Sequence, residues 1–206
     1  YALFMARSEA HDFEQWCAWP EALARREPGA LAQARRQQAE RIAFWKFGQW
    51  CFFRQWLKLK AYAHQRGIQI IGDVPIFIGH HSADVWSHQA LFELGADGRP
   101  TVVAGVPPDF FSATGQRWGN PLYRWDVHAR DGYAWWVQRM RCVFELADIV
   151  RIDHFRGFAG YWEIPASEPT AMHGQWRTGP GADLFKAINA ALGPMPIIAE
   201  DLGVIT

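Results

Sequence analysis

The sequence predicts an α/β fold made of successive βα units, and three observations carry that prediction. Short apolar runs rich in β-branched residues occur at Ile68–Pro75, at Ile149–Asp153 inside the longer stretch Asp148–Trp162, and at Pro196–Gly203. Each run carries an acid near its end, Asp73, Asp153 or Glu200, close to a proline or glycine, which is how a buried parallel strand running out into a loop reads. The intervening stretches contain helix-period segments long enough for crossovers, so the three strands are expected to be parallel.

Taken in order, Ser8 is expected to cap a short helix carrying Phe13, Trp16 and Cys17, which Pro20 ends. The Ala- and Arg-rich stretch that follows, broken at Pro28-Gly29, reads as two helices with a turn between them and a solvated basic face. From about Glu40 to Gln65, the residues Ile42, Trp45, Phe52, Trp56, Leu59 and Ala63 keep a three-four spacing. That predicts a long amphipathic helix with Gly67 just past its end. Gly48 inside it costs about 1 kcal/mol relative to Ala, which the aromatic contacts should outweigh.

The first strand, Ile68–Pro75, closes on a proline that fits only at a strand's end. Residues 77–130 show neither helical nor strand period, yet they are too rich in aromatic residues to be disordered. An ordered connection of this length is ordinarily functional, and Asp97-Gly98 within it suits a tight turn. Asp131 then opens a helix that places Tyr133, Trp136, Val137, Met140, Val143, Phe144 and Ala147 on one face and feeds the central strand. Gly157–Gly181 reads as a second irregular segment, and a helix from about Ala182 to Leu192, ended by Gly193-Pro194, leads to the third strand.

The chemistry concentrates where the strands run out. With a side-chain period of two, Arg151 and Asp153 share one face of their strand while Val150 and Ile152 take the other. A neighbouring guanidinium keeps a carboxylate ionised, which suits a nucleophile or an electrostatic stabiliser; a structural ion pair at a sheet edge would give the same pattern. A second acid, Glu200, at the end of the next strand supplies the other half of a retaining glycosidic mechanism, an ionised nucleophile and a protonatable acid/base roughly 5–5.5 Å apart. Gly79–Trp86, Pro107–Phe111, Thr114–Pro121 and Tyr123 combine aromatic rings with Gln and Asn side chains. A glucan groove needs that mixture, because rings stack on sugar faces while amides bond the hydroxyls. Tyr123 and Trp125 are assigned to packing. His154 either bonds a sugar hydroxyl or packs behind the site.

The motifs RIDHFRGFAGYW, IIAEDLG and GVPPDFFSATGQRWGNPLY resemble the signatures of the 4-α-glucanotransferases, or amylomaltases, of glycoside hydrolase family 77. The resemblance runs from about Ala43 to the end of the chain. It implies a partial (β/α)₈ TIM barrel containing strands three to five, with residues 77–130 as an inserted active-site loop subdomain. It also implies transfer of α-1,4-glucan segments between maltooligosaccharides. Asp153 would be the nucleophile and Glu200 the general acid/base, with Arg151, Asp73, Phe111, Gln116, Trp118 and His154 contacting sugar. A capping role in the loop is the alternative for Asp73. The family's third acid lies on a later strand, and the chain stops before any such motif, so it is expected to be the central piece, residues 1–206, of a longer catalytic domain. An α-amylase-type hydrolase and a non-catalytic glucan-binding fragment are the other readings of the same motifs.

Composition narrows the partners. Lys+Arg and Asp+Glu are equal at 21 each, so no net field attracts nucleic acid or an anionic membrane. Twelve tryptophans, several times the usual share of about one residue in a hundred, suit both a core and a sugar groove; Trp45, Trp56 and Trp136 sit on apolar helical faces and belong to the core. Cys17, Cys51 and Cys142 show no metal-ligand spacing and read as free thiols of a reducing compartment. His80-His81 and His128 likewise lack ligand spacing, so no metal or cofactor is expected. With no apolar run of roughly 18 residues and no leader at Tyr1, the protein is expected to be soluble and cytoplasmic.

Overall fold

The computed structural model describes residues 1–201; the expected end of the third strand, Leu202-Gly203, lies outside the described residues. The chain opens with helices α1 (Ala2–Ala10), α2 (Glu21–Ala24), α3 (Pro28–Gln37) and α4 (Ala39–His64), then strand β1 (Ile71–Pro75). Helix α5 (Ala83–Ser87), strands β2 (Val102–Val106) and β3 (Gln116–Pro121), and helices α6 (Trp125–Arg130) and α7 (Ala134–Leu146) come next. Strands β4 (Ile149–Asp153), β5 (Gly160–Pro165) and β6 (Gln175–Thr178), helix α8 (Ala182–Leu192) and strand β7 (Ile197–Ala199) complete a mixed α/β architecture.

The strands β1, β4 and β7 lie side by side in that order, all parallel. Asp73 pairs with Arg151, Pro75 with Asp153, and Arg151 with Ile198. The period of two therefore puts Asp73, Arg151, Asp153 and Ile198 on one face. The opposite face, with Val74, Val150 and Ile152, is buried in one core with Trp136 and Met140 of α7 and Leu184 and Ile188 of α8. Helix α8 stops where expected, at Gly193 with φ 79°, whereas α7 starts at Ala134, three residues after the expected Asp131, because Tyr133 is left-handed at φ 60°; Asp131 Oδ1 still accepts from the N–H of Ala134 at 3.2 Å.

A second sheet was not legible in the sequence. Its four antiparallel strands run β3-β2-β5-β6, so the segments 77–130 and Gly157–Gly181, both read as irregular, together form it. Its outer strands β3 and β6 bury almost nothing, and without a buried face no apolar alternation appears in the sequence.

The N-terminal expectations need correction. Ser8 does not cap a helix; it lies buried in the last turn of α1, with its Oγ 3.2 Å from Nε2 of His81. Asp12 and Phe13 break the chain in the left-handed region, leaving only one 3-10 turn at Trp16–Ala18. Pro28 and Gly29 are the first residues of α3 instead of its preceding turn, since a proline at the first helical position lacks only an N–H that has no partner there anyway. Helix α4 and its Gly67 terminus, at φ 70°, agree with the spacing. However, α4 buries no side chain fully among the described residues, and its rings stack on one another, as Phe47 does on Trp50 and Phe52 on Trp56. The C-terminal end of α4 is tied to the sheet by Asp148, which accepts from the N–H of Ile70 and pairs with Lys60 and His64.

Candidate active site

Arg151 sits on the central strand, and its position fixes the site. Its Nη1 donates to Oδ1 of Asp73 at 2.6 Å, while Nη2 donates to Oδ1 of Asp153 at 2.9 Å and lies 3.7 Å from Oε1 of Glu200. One guanidinium thus reaches an acid from each of the three parallel strand ends. Hydrogen bonds to Asp73 and then to Asp153 push the guanidinium above its already high ordinary value, so it stays charged. Because one nitrogen touches both Asp153 and Glu200, their facing oxygens are no further apart than 2.9 Å and 3.7 Å laid end to end, about 6.6 Å.

Glu200 follows β7 directly and is the most buried of the three acids, with 12% of its side chain exposed against 47% for Asp153 and 61% for Asp73. The backbone N–H of His154 donates to its Oε2 at 2.6 Å. His154 adopts φ 53°, a left-handed conformation rare outside glycine and of the kind that clusters at functional sites. Burial pulls the His154 imidazole below its ordinary pKa, and its Nε2 is buried without a partner among the described residues. A neutral ring with an unmet nitrogen at the edge of a cleft is suited to a hydroxyl ligand.

Of the three acids Asp153 lines a cleft of about 520 Å³, together with Phe77, Trp118, Asn120 and His154 among others, while Glu200 lines a neighbouring cavity of about 490 Å³ with Phe155, Phe158 and Phe185. The Trp118 ring meets His154 edge-on at 4.9 Å, and its Nε1 donates to Oε1 of Gln116 at 3.0 Å. The structure therefore brings together Asp73, Arg151, Asp153, Glu200, His154, Trp118 and Gln116. It does not bring in Phe111, which is 93% exposed at a loop tip and packs edge-on against Phe110. Tyr123 is buried, as expected for packing. Asn120, the amide of the segment Thr114–Pro121, lines the cleft as that segment's composition suggested; Phe77 was missed, although it follows the first strand by two residues, and that adjacency was the available signal. No group of three metal-ligating side chains converges among the described residues. A larger cavity, about 920 Å³, lies behind Ile78 between α5 and α7, away from the three acids.

Acids gathered on one guanidinium at the C-terminal ends of parallel strands, next to rings and amides, form the type of site found in α/β carbohydrate-active enzymes. The comparisons agree. The family described as 4-alpha-glucanotransferase matches residues 1–206, and the chain belongs to that family. It is 58% identical to the 4-alpha-glucanotransferase of Thermus thermophilus over all of its own length and 41% of that protein's. It is 48% identical to the chloroplastic/amyloplastic 4-alpha-glucanotransferase of Solanum tuberosum, again over its whole length and 36% of the relative's. The amylomaltase of Streptococcus agalactiae, solved in complex with acarbose, superposes with a TM-score of 0.96 at 45% identity, covering all of this chain and 42% of that one. The chain thus spans about two fifths of the length of these relatives.

Proposed function

We propose that the 206 residues are the central part of a (β/α)₈ barrel, supplying its strands three to five, with 77–130 as the inserted active-site loop subdomain. Within this barrel, the parent protein transfers α-1,4-glucan segments between maltooligosaccharides with retention. The strand order β1-β4-β7, with α7 and α8 packed on one face and acids on the other, supports the barrel reading. The face that carries the acids would become the barrel interior and its mouth. The coordination of three acids by Arg151 carries the catalytic reading.

In this mechanism Asp153 Oδ2, the oxygen not bonded to Arg151, attacks the anomeric carbon while Glu200 protonates the departing glycosidic oxygen. The glycosidic bond breaks, an ester to Asp153 forms, and the shortened glucan leaves with the proton. Glu200, now a base, takes the proton of an entering 4-hydroxyl; that oxygen displaces Asp153 and the α-linkage is restored. Asp73 and His154 hold sugar hydroxyls, and Trp118 and Gln116 flank the sugar. Aromatic cover over the cleft favours a sugar acceptor over water.

The partners in this reading are glucan donors and acceptors, with no nucleic acid and no membrane; no helix among the described residues is long and apolar enough to cross one. Three free cysteines are consistent with a cytoplasmic compartment. The test is to incubate the full-length protein with maltotriose. Longer and shorter oligosaccharides at constant reducing power are expected, and Asp153→Asn should abolish them. Rising reducing power without longer products would mean hydrolysis, and ordinary turnover by Asp153→Asn would remove the nucleophile.

A further inference from the structure

Arg139 has no part in the site described above, yet both of its main-chain contacts go to the strand exit that supports it. Its Nη2 donates to the carbonyl of Pro75 at 2.6 Å and its Nη1 to the carbonyl of Ile76 at 3.1 Å. The same Ile76 carbonyl accepts from the phenol of Tyr123 at 2.7 Å, and Nη1 lies 3.3 Å from that phenol oxygen. On its other side, the Ile76 peptide N–H donates to the carbonyl of Asp153 at 3.3 Å. This bond is the last rung between β1 and β4; Pro75, which pairs with Asp153, has no N–H to give. One residue further, β4 turns away at His154 through its left-handed φ.

We propose that Arg139 and Tyr123 are positioning residues that hold Asp153 through the two peptides flanking Ile76, the Pro75–Ile76 peptide whose N–H bonds Asp153 and the Ile76–Phe77 peptide whose carbonyl they share. This inference rests on the reading of Asp153 as nucleophile. The guanidinium lies 4.8 Å from the Trp136 ring centroid and 5.5 Å from that of Trp135, so it is held in place. Burial keeps the Tyr123 phenol protonated and therefore a donor. Among the described residues Arg139 makes no ion pair, so its fork is spent on two main-chain carbonyls. A flexible ammonium would fix that geometry less well. The following residue, Phe77, lies between Trp118 and Tyr161 and near His154, so a shift of the strand exit moves the cleft wall together with the nucleophile. Displacements approaching 1 Å cost about 100-fold in rate.

The test uses the full-length protein and maltotriose, with rates expressed per folded molecule. Arg139→Met is expected to lower kcat about 100-fold and Tyr123→Phe about tenfold, each with KM within about threefold of wild type, while Arg139→Lys, which can reach the carbonyls but not fork across both, recovers only part of the loss. A helix staple alone would lower the melting midpoint and leave kcat within twofold of wild type; that result overturns the proposal. So does a rise in KM at unchanged kcat. Tyr123→Phe removes one buried oxygen and keeps the ring, so it decides the matter if Arg139→Met does not fold. Asp153→Asn is measured alongside. Loss of its turnover with normal Arg139 and Tyr123 variants overturns the clamp alone, whereas normal turnover by Asp153→Asn overturns the nucleophile and the clamp together.

Discussion

The backbone N–H of His154 donates to Oε2 of Glu200 at 2.6 Å, so the residue that follows one carboxylate holds the other. His154 makes this bond at φ 53°, the angle at which the chain leaves β4, so a residue that cannot hold that angle forces the turn, and the Asp153–His154 peptide with it, to rearrange. A conformation of this kind costs on the order of 1–3 kcal/mol in a non-glycine residue and persists only where its surroundings enforce it. Ring and backbone thus do separable work. His154→Gly keeps the backbone and loses the ring; KM for maltotriose should rise about tenfold, the equivalent of roughly 1.4 kcal/mol. His154→Val, β-branched and ill suited to the left-handed region, should also lower kcat by more than the glycine variant does. Equal kcat values for the two would show that the N–H contact to Glu200 is unimportant.

Gly105 sets how closely β2 approaches β3. A Cβ there would lie 2.1 Å from the carbonyl oxygen of Gln116 and 2.6 Å from Cδ1 of Ile164, so one strand has to move. Gly105→Ala is expected to cost roughly 1–3 kcal/mol of stability. It should also shift Gln116 and Trp118, raising KM several-fold. Urea unfolding and steady-state kinetics on the same preparation check both; an unchanged KM in a destabilised variant would separate this sheet from sugar binding.

Acid should destabilise the fold through His128. The imidazole is fully buried beside Tyr123, Trp125 and Trp135, and burial lowers its pKa to about 4, against an unfolded value near 6.5. Above about pH 6.5 neither state is protonated and His128 has no effect. As pH falls from about 6.5 towards 4, the unfolded chain takes up a proton that the folded one refuses. Stability is therefore lost across that window, by an amount on the order of 3 kcal/mol. Urea midpoints of the full-length protein at pH 7 and pH 4.5 should differ more in wild type than in His128→Phe. Equal differences would contradict the assignment.

What the sequence made legible follows from which faces are buried. The parallel strands could be read because Val150 and Ile152 face a core while Arg151 and Asp153 face away, and that alternation survives in the sequence. Helices α7 and α8 were legible from their periodicity, and the end of α8 from Gly193, while the start of α7 lies three residues beyond Asp131. Strand β6, Gln175–Thr178, is exposed at every position, so nothing in its composition separates it from a loop. Ser8 misled because its hydroxyl partner, His81, is remote in sequence. Asp73, Arg151, Asp153 and Glu200 could be listed as strand-end residues, but their meeting on one guanidinium depends on the register between strands, which no single segment encodes. The clamp from Arg139 and Tyr123 was invisible for the same reason, since its acceptors are main-chain carbonyls.

The most direct test of the mechanism is to trap the ester on Asp153. In a Glu200→Gln variant of the full-length protein, a maltosyl fluoride donor needs no protonated leaving group, so the first displacement proceeds while the second lacks its base. Mass spectrometry of the digested protein should then find the maltosyl unit on the peptide containing Asp153. A protein that consumes the donor without any adduct, or that carries the sugar on another residue, would contradict Asp153 as the nucleophile.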